Sequence, residues 1–346
     1  MIITELEERD RLAWDAYVKN SAHGLPMHLS GWRDVMSKTY GYETHYLMAT
    51  EGEEVVGVLP LFIVRSFLVG HSATTMPGGL CADDPEVAVA LIERGKQVAQ
   101  RAKVKRLVLQ DARRAWPGDL HTTSHHVRWV VDVRVGADAL WNGLDKNIRR
   151  QIRMARRNGL TVEIDRTGAR VDDFYDVLSR FAHNVGTPLF GRGFLEHVVE
   201  TFPGGFNIAV VYKEKRPVGV YFQLVMGNTV YGIWGAALHE YLKLRAVYLA
   251  YWEMLSDTVV NGYDCLDMGR SRAGSNISKF KGQWGGVSGP VYQQVASIGS
   301  HHSADSIVDR VESDSKFQHF MQVWPKLPFP IVQFLGPKLR RHVPFA

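Results

Sequence analysis

The chain has 346 residues with 45% hydrophobic and 22% charged content, which excludes a disordered chain and a collagen-like fibre and fits two domains. Its two cysteines, Cys81 and Cys265, lie too far apart in sequence for a metal-type pair. They exclude a disulfide scaffold and point to a reducing, cytoplasmic compartment. Forty-one bases against 36 acids leave a net charge of only +5, so where the charge sits matters more than its size.

The N-terminus is acid-rich and lacks the apolar core of a signal peptide. Thr50–Leu59 reads as a polar turn feeding a Val-Gly-Val strand, and a helix over Glu93–Ala102 runs into a strand at Arg106–Gln110. Asp138–Asn158 reads as one amphipathic helix stopped by Gly159. At 100° per residue Trp141, Leu144, Ile148, Ile152 and Ala155 share one arc; Lys146, Arg149, Arg150, Arg153, Arg156 and Arg157 fill the neighbouring one. From Gly136 to Leu160 six bases oppose two acids, so +4 of the net charge falls on this segment.

Pro217–Leu238 is uncharged and long enough to span a bilayer, yet it holds Gln223, Asn228, Thr229 and four glycines. It reads instead as two buried strands turning at Gly227-Asn228-Thr229. Tyr212–Tyr221 repeats the plan of Thr50–Leu59, with Gly219 matching Gly57. A helix over Tyr248–Val259 entering a strand at Tyr263–Asp267 repeats the helix and strand of the first half. The offsets, 162 and about 159 residues, suggest a duplicated domain in an α/β (α+β layered) architecture. The expected divisions are 1–135, a connecting basic helix at 136–160, 161–296, and a tail at 297–346. Ser297–Ser315 reads as a mobile linker, and five prolines between 325 and 344 forbid a long helix beyond it. That segment, ending in Lys338, Arg340 and Arg341, is expected either to dock on the body or to touch an anionic membrane.

Phosphate-loop, dinucleotide, zinc-protease, serine-hydrolase and Cys-x-x-Cys motifs are absent from the sequence. The pairs His125-His126 and His301-His302 read as surface histidines, and no metal is expected. The basic face is either a solvated helix surface or an anion track, and arginine's planar fork suits phosphate. One cluster carries candidate chemistry. Asp264–Asp267 ends a strand, Gly269 allows a turn that sets Arg270 and Ser271 at its C-terminal end, and Phe280-Lys281-Gly-Gln-Trp284 follows. Lys281, between Phe280 and Gly282, is a candidate for a partly desolvated ammonium that stabilises an oxyanion; the alternative is that these residues only shape a packed hairpin.

The basic helix, Phe174-Tyr175, Gly186-Thr187-Pro188, Asp267-Met-Gly-Arg-Ser271 and Phe280-Lys281-Gly-Gln-Trp284-Gly285 together resemble the FemAB-like family, in its branch found beside exosortase (PEP-CTERM) systems. The likeness covers residues 1–295 and implies two tandem domains of the GCN5-related N-acetyltransferase (GNAT) fold, with mixed sheets flanked by helices. It implies an acyltransferase acting on a peptidoglycan, exopolysaccharide or other cell-envelope precursor. The Phe280-Lys281 pair matches a Phe-Lys pair placed at the family's acyl-transfer centre. No heptad arm and no Gly-rich acetyl-CoA loop are present: the expected place reads Leu242–Leu249, without glycine.

On this reading Lys281 stabilises the oxyanion and Asp267 is the candidate base, with substrate groups as the alternative. Arg270, Ser271, Phe280, Trp284, Tyr231 and Trp234 bind substrate, while Lys146, Arg149, Arg150, Arg153 and Arg156 hold phosphates. No tightly bound cofactor is expected. The donor is aminoacyl-tRNA or an acyl-CoA or acyl-carrier thioester. The protein is expected in the cytoplasm, at the inner face of the membrane if the tail binds lipid. Two rival readings stay open: an acetyl-CoA-dependent N-acetyltransferase, and a non-enzymatic nucleic-acid-binding protein using the basic helix.

Overall fold

The computed structural model describes residues 1–299 and 320–342, so most of the expected linker, Ser297–Ser315, lies outside the described residues. The chain forms two compact units. Unit 1 comprises the described residues within 1–125, 290–322 and 334–346; unit 2 comprises 126–289 and 323–333.

Unit 1 contains β1 (Ile2–Glu5), α1 (Arg11–Asn20), α2 (Trp32–Tyr40), β2 (Glu43–Glu51), β3 (Glu54–Val64), β4 (Ser72–Thr75), β5 (Cys81–Ala82), α3 (Pro85–Arg101) and β6 (Arg106–Ala112). The strand order is β1-β2-β3-β4-β6, completed by the chain at Tyr292–Ser297, with β5 beside β3. Every pairing is antiparallel except β4 with β6, which run parallel over only two residues each. α3 starts where Asp84 caps the Glu86 N–H and Pro85 fills the first turn. Its apolar stripe, including Leu91 and Ile92, packs on Leu47, Ala49, Leu59, Leu61 and Leu107. Trp14 and Trp32 are fully buried, and their indole N–H groups donate to the carbonyls of His28 and Pro26. His28 is itself buried, and desolvation pushes its pKa down to about 4.

Unit 2 runs β7 (His121–Asp132, from His126 on), α4 (Ala137–Gly143), α5 (Lys146–Arg157), β8 (Leu160–Asp165), α6 (Val171–Asn184), α7 (Arg192–Thr201), β9 (Phe206–Lys213), β10 (Arg216–Met226), β11 (Thr229–Ala237), α8 (Ala246–Val260), β12 (Cys265–Arg272) and α9 (Asn276–Gly282). Its strands order as β7-β12-β11-β10-β9-β8, again with one parallel pair, β11 with β12. α8 covers one face over Val211, Val218, Val230 and Leu266. Phe174 of α6 meets Phe222, which Phe206 also stacks against, on the other face. The expected hairpin is present, with Gly227 at φ +54° between β10 and β11.

The two units repeat one plan. In the β2–β3 hairpin the register shifts between Ala49 and Thr50, leaving Val56 unpaired. In the β9–β10 hairpin it shifts between Pro217 and Gly219, leaving Val218 unpaired. The two bulges lie 162 residues apart, as do Gly57 and Gly219 directly after them. Each glycine sits where a helix crosses closely. A Cβ at Gly57 would fall 2.6 Å from Val87 Cγ1, and one at Gly219 3.3 Å from the Ala246 Cβ.

Two expectations need correction. The basic segment is two helices, because Leu144 is extended and the Asp145 carboxylate caps the Asn147 N–H at 2.6 Å, starting α5 afresh. The tail does contain a helix, α10 (Phe329–Arg340), in spite of its prolines. Pro328 precedes it and Pro330 lies in the first turn, where no N–H is needed. Pro337 lies inside the helix and forgoes one backbone bond.

Candidate active site

The parallel pairing of β11 with β12 ends at Tyr231 and Asp267, although β11 continues to Ala237 and β12 to Arg272. Beyond that point the two strands are no longer paired. Gly269 takes φ +74°, and a Cβ there would lie 2.4 Å from the Gly232 carbonyl oxygen, so only glycine fits this approach. Lys281 reaches this point from α9, which starts where Ser275 caps the Ser278 N–H. Its ammonium donates to the carbonyls of Gly269 at 3.0 Å and Arg270 at 2.9 Å. Two of its three N–H bonds are thus engaged. The side chain is buried, and desolvation, partly countered by nearby Asp267, pushes its pKa down to about 8.

Asp267 is buried at the end of the parallel pairing, where it accepts the Gly269 N–H at 2.8 Å and faces Arg128 at 3.4 Å. Arg270, half-buried, contributes its carbonyl to Lys281, and buried Ser271 follows it on β12. Phe280 turns its ring edge-to-face onto Tyr248, Tyr251 and Trp284. The structure therefore gathers Lys281, Asp267, Arg270, Ser271, Phe280 and Trp284 around the end of β12. Tyr231 pairs with Asp267 in the parallel register. Trp234 packs instead with Phe190, Phe194 and Phe222, in the aromatic cluster of α6 and α7.

The sequence reading did not single out Tyr221. Its ring lies where Gly232 and Gly235 lack side chains, its hydroxyl donates to the Met268 carbonyl at 3.3 Å, and it meets Tyr251 edge-to-face. Burial raises both phenols, Tyr251 to about 12. Two glycines on one strand were the available signal, since they mark close approach by another group.

On α5, Ile148, Ile152 and Ala155 are buried in the core beneath α8. Arg156 pairs with Glu253 at 2.9 Å, and Arg153 stands over the Trp141 ring. Arg150 donates to Asn147. Among the described residues Lys146, Arg149, Arg150 and Arg153 have no acid within ion-pair distance and keep their charge for solvent or a ligand. Asn158, just past α5, donates to the Leu244 carbonyl ahead of α8, so α8 touches both the basic helix and the Phe280 ring. Arg245 opens α8 at φ +70°, taking the left-handed conformation that a glycine favours. No cluster of metal-binding side chains occurs among the described residues.

Residues 143–281 match the acetyltransferase (GNAT) domain family. No curated protein sequence matches the chain. Among solved structures, FemX is similar at a TM-score of 0.64 and 14% identity over 85% of this chain and 97% of that one. A tandem GNAT protein from the clavulanic acid biosynthesis pathway matches at 0.56 and 11%, over 87% and 99%. L-PGS from Bacillus licheniformis matches at 0.55 and 12%, over 80% and 95%. At these identities the likenesses establish fold. The chain has a tandem GNAT-like fold, and with an acetyltransferase domain over residues 143–281 it is an acyltransferase.

Proposed function

We propose that unit 2 moves an aminoacyl or acyl group from an activated carrier, aminoacyl-tRNA or an acyl thioester, to an amine of a peptidoglycan, exopolysaccharide or other cell-envelope precursor. The observation that carries this reading is the Lys281 ammonium, buried where the pairing of β11 with β12 ends, with one N–H left over. The acceptor amine attacks the carrier's carbonyl carbon, and the third N–H of Lys281 donates to the oxyanion that forms. Collapse of the tetrahedral intermediate breaks the ester or thioester bond, and the leaving oxygen or sulfur takes up the proton lost by the amine. Asp267, held by Gly269 and Arg128, favours the charged form of Lys281 and is the candidate group to receive that proton first.

The GNAT fold also implies acyl-CoA as donor. Its pyrophosphate is ordinarily cradled at a glycine-bearing helix start, and here Leu244-Arg245 occupies the start of α8. The backbone keeps the left-handed turn, but a guanidinium replaces the bare glycine. This favours a carrier whose phosphates meet side-chain charge, on Arg245 and the free bases of α5, over acetyl-CoA. The resemblance of the basic helix and the Phe280-Lys281 segment to the exosortase-associated branch supports the cell-envelope acceptor.

The test incubates the full-length protein with a cell-envelope precursor extract and either tRNA charged with labelled amino acids or labelled acetyl-CoA. Label passing from tRNA to the precursor supports the reading. Transfer from acetyl-CoA alone rejects aminoacyl-tRNA as donor and makes the protein an acetyl-CoA-dependent acetyltransferase, and no transfer from either donor overturns the reading.

A further inference from the structure

Unit 1 carries a surface that the transfer chemistry does not use. The loop between β3 and β4 exposes Phe67 at 71% and Leu68 at 48% of their full area. Its shape is pinned beneath that tip. The Ser66 hydroxyl accepts the N–H groups of Leu68 and Val69, each at 3.0 Å, and buried Arg106 donates to the Val69 carbonyl at 2.6 Å. The tip cannot fold its two apolar side chains inward without breaking these bonds.

The C-terminal part of α10 lies beside it. The His342 ring stands 4.3 Å from that of Phe67, the Tyr42 hydroxyl donates to the Arg341 carbonyl, and Arg341 donates to the Tyr40 carbonyl. Gly336 is buried, while Phe334, 64% exposed, Lys338 and Arg341 follow one another at helical spacing along one side. The Lys338 ammonium sits 3.7 Å from the Phe334 ring centre. Phe329–His342 contains no acid and three permanent bases, Lys338, Arg340 and Arg341. Arg65, at the base of the loop, is already paired with Glu43 and adds no net charge.

We propose that this surface docks the protein on an anionic phospholipid bilayer. Phe67, Leu68 and Phe334 enter the boundary between headgroups and acyl chains, and Lys338 and Arg341 meet the lipid phosphates. Apolar side chains alone would fit many partners. The joining of three protruding ones to an acid-free basic stretch is the two-part signal, apolar and electrostatic, that stable peripheral attachment uses. This assignment stands apart from the transfer reaction and holds whether or not the donor is aminoacyl-tRNA.

The test is co-sedimentation of the full-length chain with vesicles of phosphatidylcholine alone or mixed with phosphatidylglycerol. The protein is expected to sediment with the mixed vesicles only, and less as salt is raised. Lys338→Ala should weaken binding about fivefold, the effect of one base near a charged surface. Phe334→Ser and the pair Phe67→Ser/Leu68→Ser should each reduce the bound fraction several-fold with unchanged melting curves. Wild-type protein left in the supernatant with the mixed vesicles overturns the proposal, even if a variant fails to fold. So does equal binding by all variants, or lipid-free self-association abolished by the same changes, which would assign the surface to a second copy of the chain.

Discussion

Replacing Lys281 by methionine removes the ammonium while keeping most of its buried stem. In the folded protein that ammonium is held at a pKa of about 8 against an ordinary 10.5, so its burial costs about 3 kcal/mol. Against this stand two hydrogen bonds from a charged donor, to Gly269 and Arg270, worth about 1.5–3 kcal/mol each. The bonds outweigh that cost by about 0–3 kcal/mol, and Lys281→Met should melt at most several degrees below the parent. Turnover should behave differently: loss of one oxyanion donor typically removes about 100- to 1000-fold. The parent's rate should decline as pH rises through about 8, where Lys281 loses its proton. Stability should move the other way. The folded pKa lies below the unfolded one, so between about 8 and 10.5 the unfolded chain binds more protons and the parent gains stability as pH rises. The variant should lack both trends. The assay is label transfer from charged tRNA, with melting followed in parallel from pH 6 to 10. Turnover within tenfold of the parent, or an unchanged pH profile, would refute the role given to Lys281.

Reversing charge on the basic helix, Arg149→Glu/Arg153→Glu/Arg156→Glu, should abolish salt-sensitive retention of tRNA on a filter, and equal retention would remove the anion track. His28 has a folded pKa of about 4 against 6.5, so protons favour the unfolded chain between those values. About 3 kcal/mol of stability should be lost as pH falls from 6.5 to 4, and a flat stability profile would refute its neutral burial. His28→Asn should flatten much of that slope. Gly57→Ala forces a Cβ to 2.6 Å from Val87 and should cost about 1–3 kcal/mol in chemical denaturation; Gly219→Ala, at 3.3 Å from Ala246, should cost less. The reverse ranking would show that the two crossings are not as drawn.

Much of the fold was legible because its signals are local. A Gly-Asn turn between two apolar runs identified the β10–β11 hairpin, and the Val-Gly-Val repeat located equivalent strands in both halves. The break in the basic segment was masked. Residues 138–158 satisfy one helical wheel throughout, and only the capping chemistry of Asp145 separates α4 from α5. In the tail the number of prolines mattered less than their positions, two of them falling where a helix tolerates them. The candidate site was legible as a list of residues but not as an arrangement. Burial of Lys281 depends on carbonyls 11 and 12 residues earlier in the chain, exposed by a left-handed glycine. A bulge at Ile233, visible as Phe222 facing Trp234 while Gln223 faces Gly232, breaks the alternation of β11 and sends Trp234 toward α6 and α7. Strand parity cannot be counted through an unseen bulge.

The unpaired valines of the two hairpins act as phase shifters. Because side chains alternate, one surplus residue exchanges the faces of everything downstream. It is this half-step that presents Gly57 and Gly219, rather than their branched neighbours Val58 and Val220, to the helix crossing above. Deleting Val56 or Val218 would therefore reach beyond a local flaw. It would exchange the two buried faces of the following strand, drive a valine into the helix crossing and set the leucines or tyrosine against the opposite layer. Bulge and glycine form one inherited device, and neither copy of the fold could lose one part and keep the other.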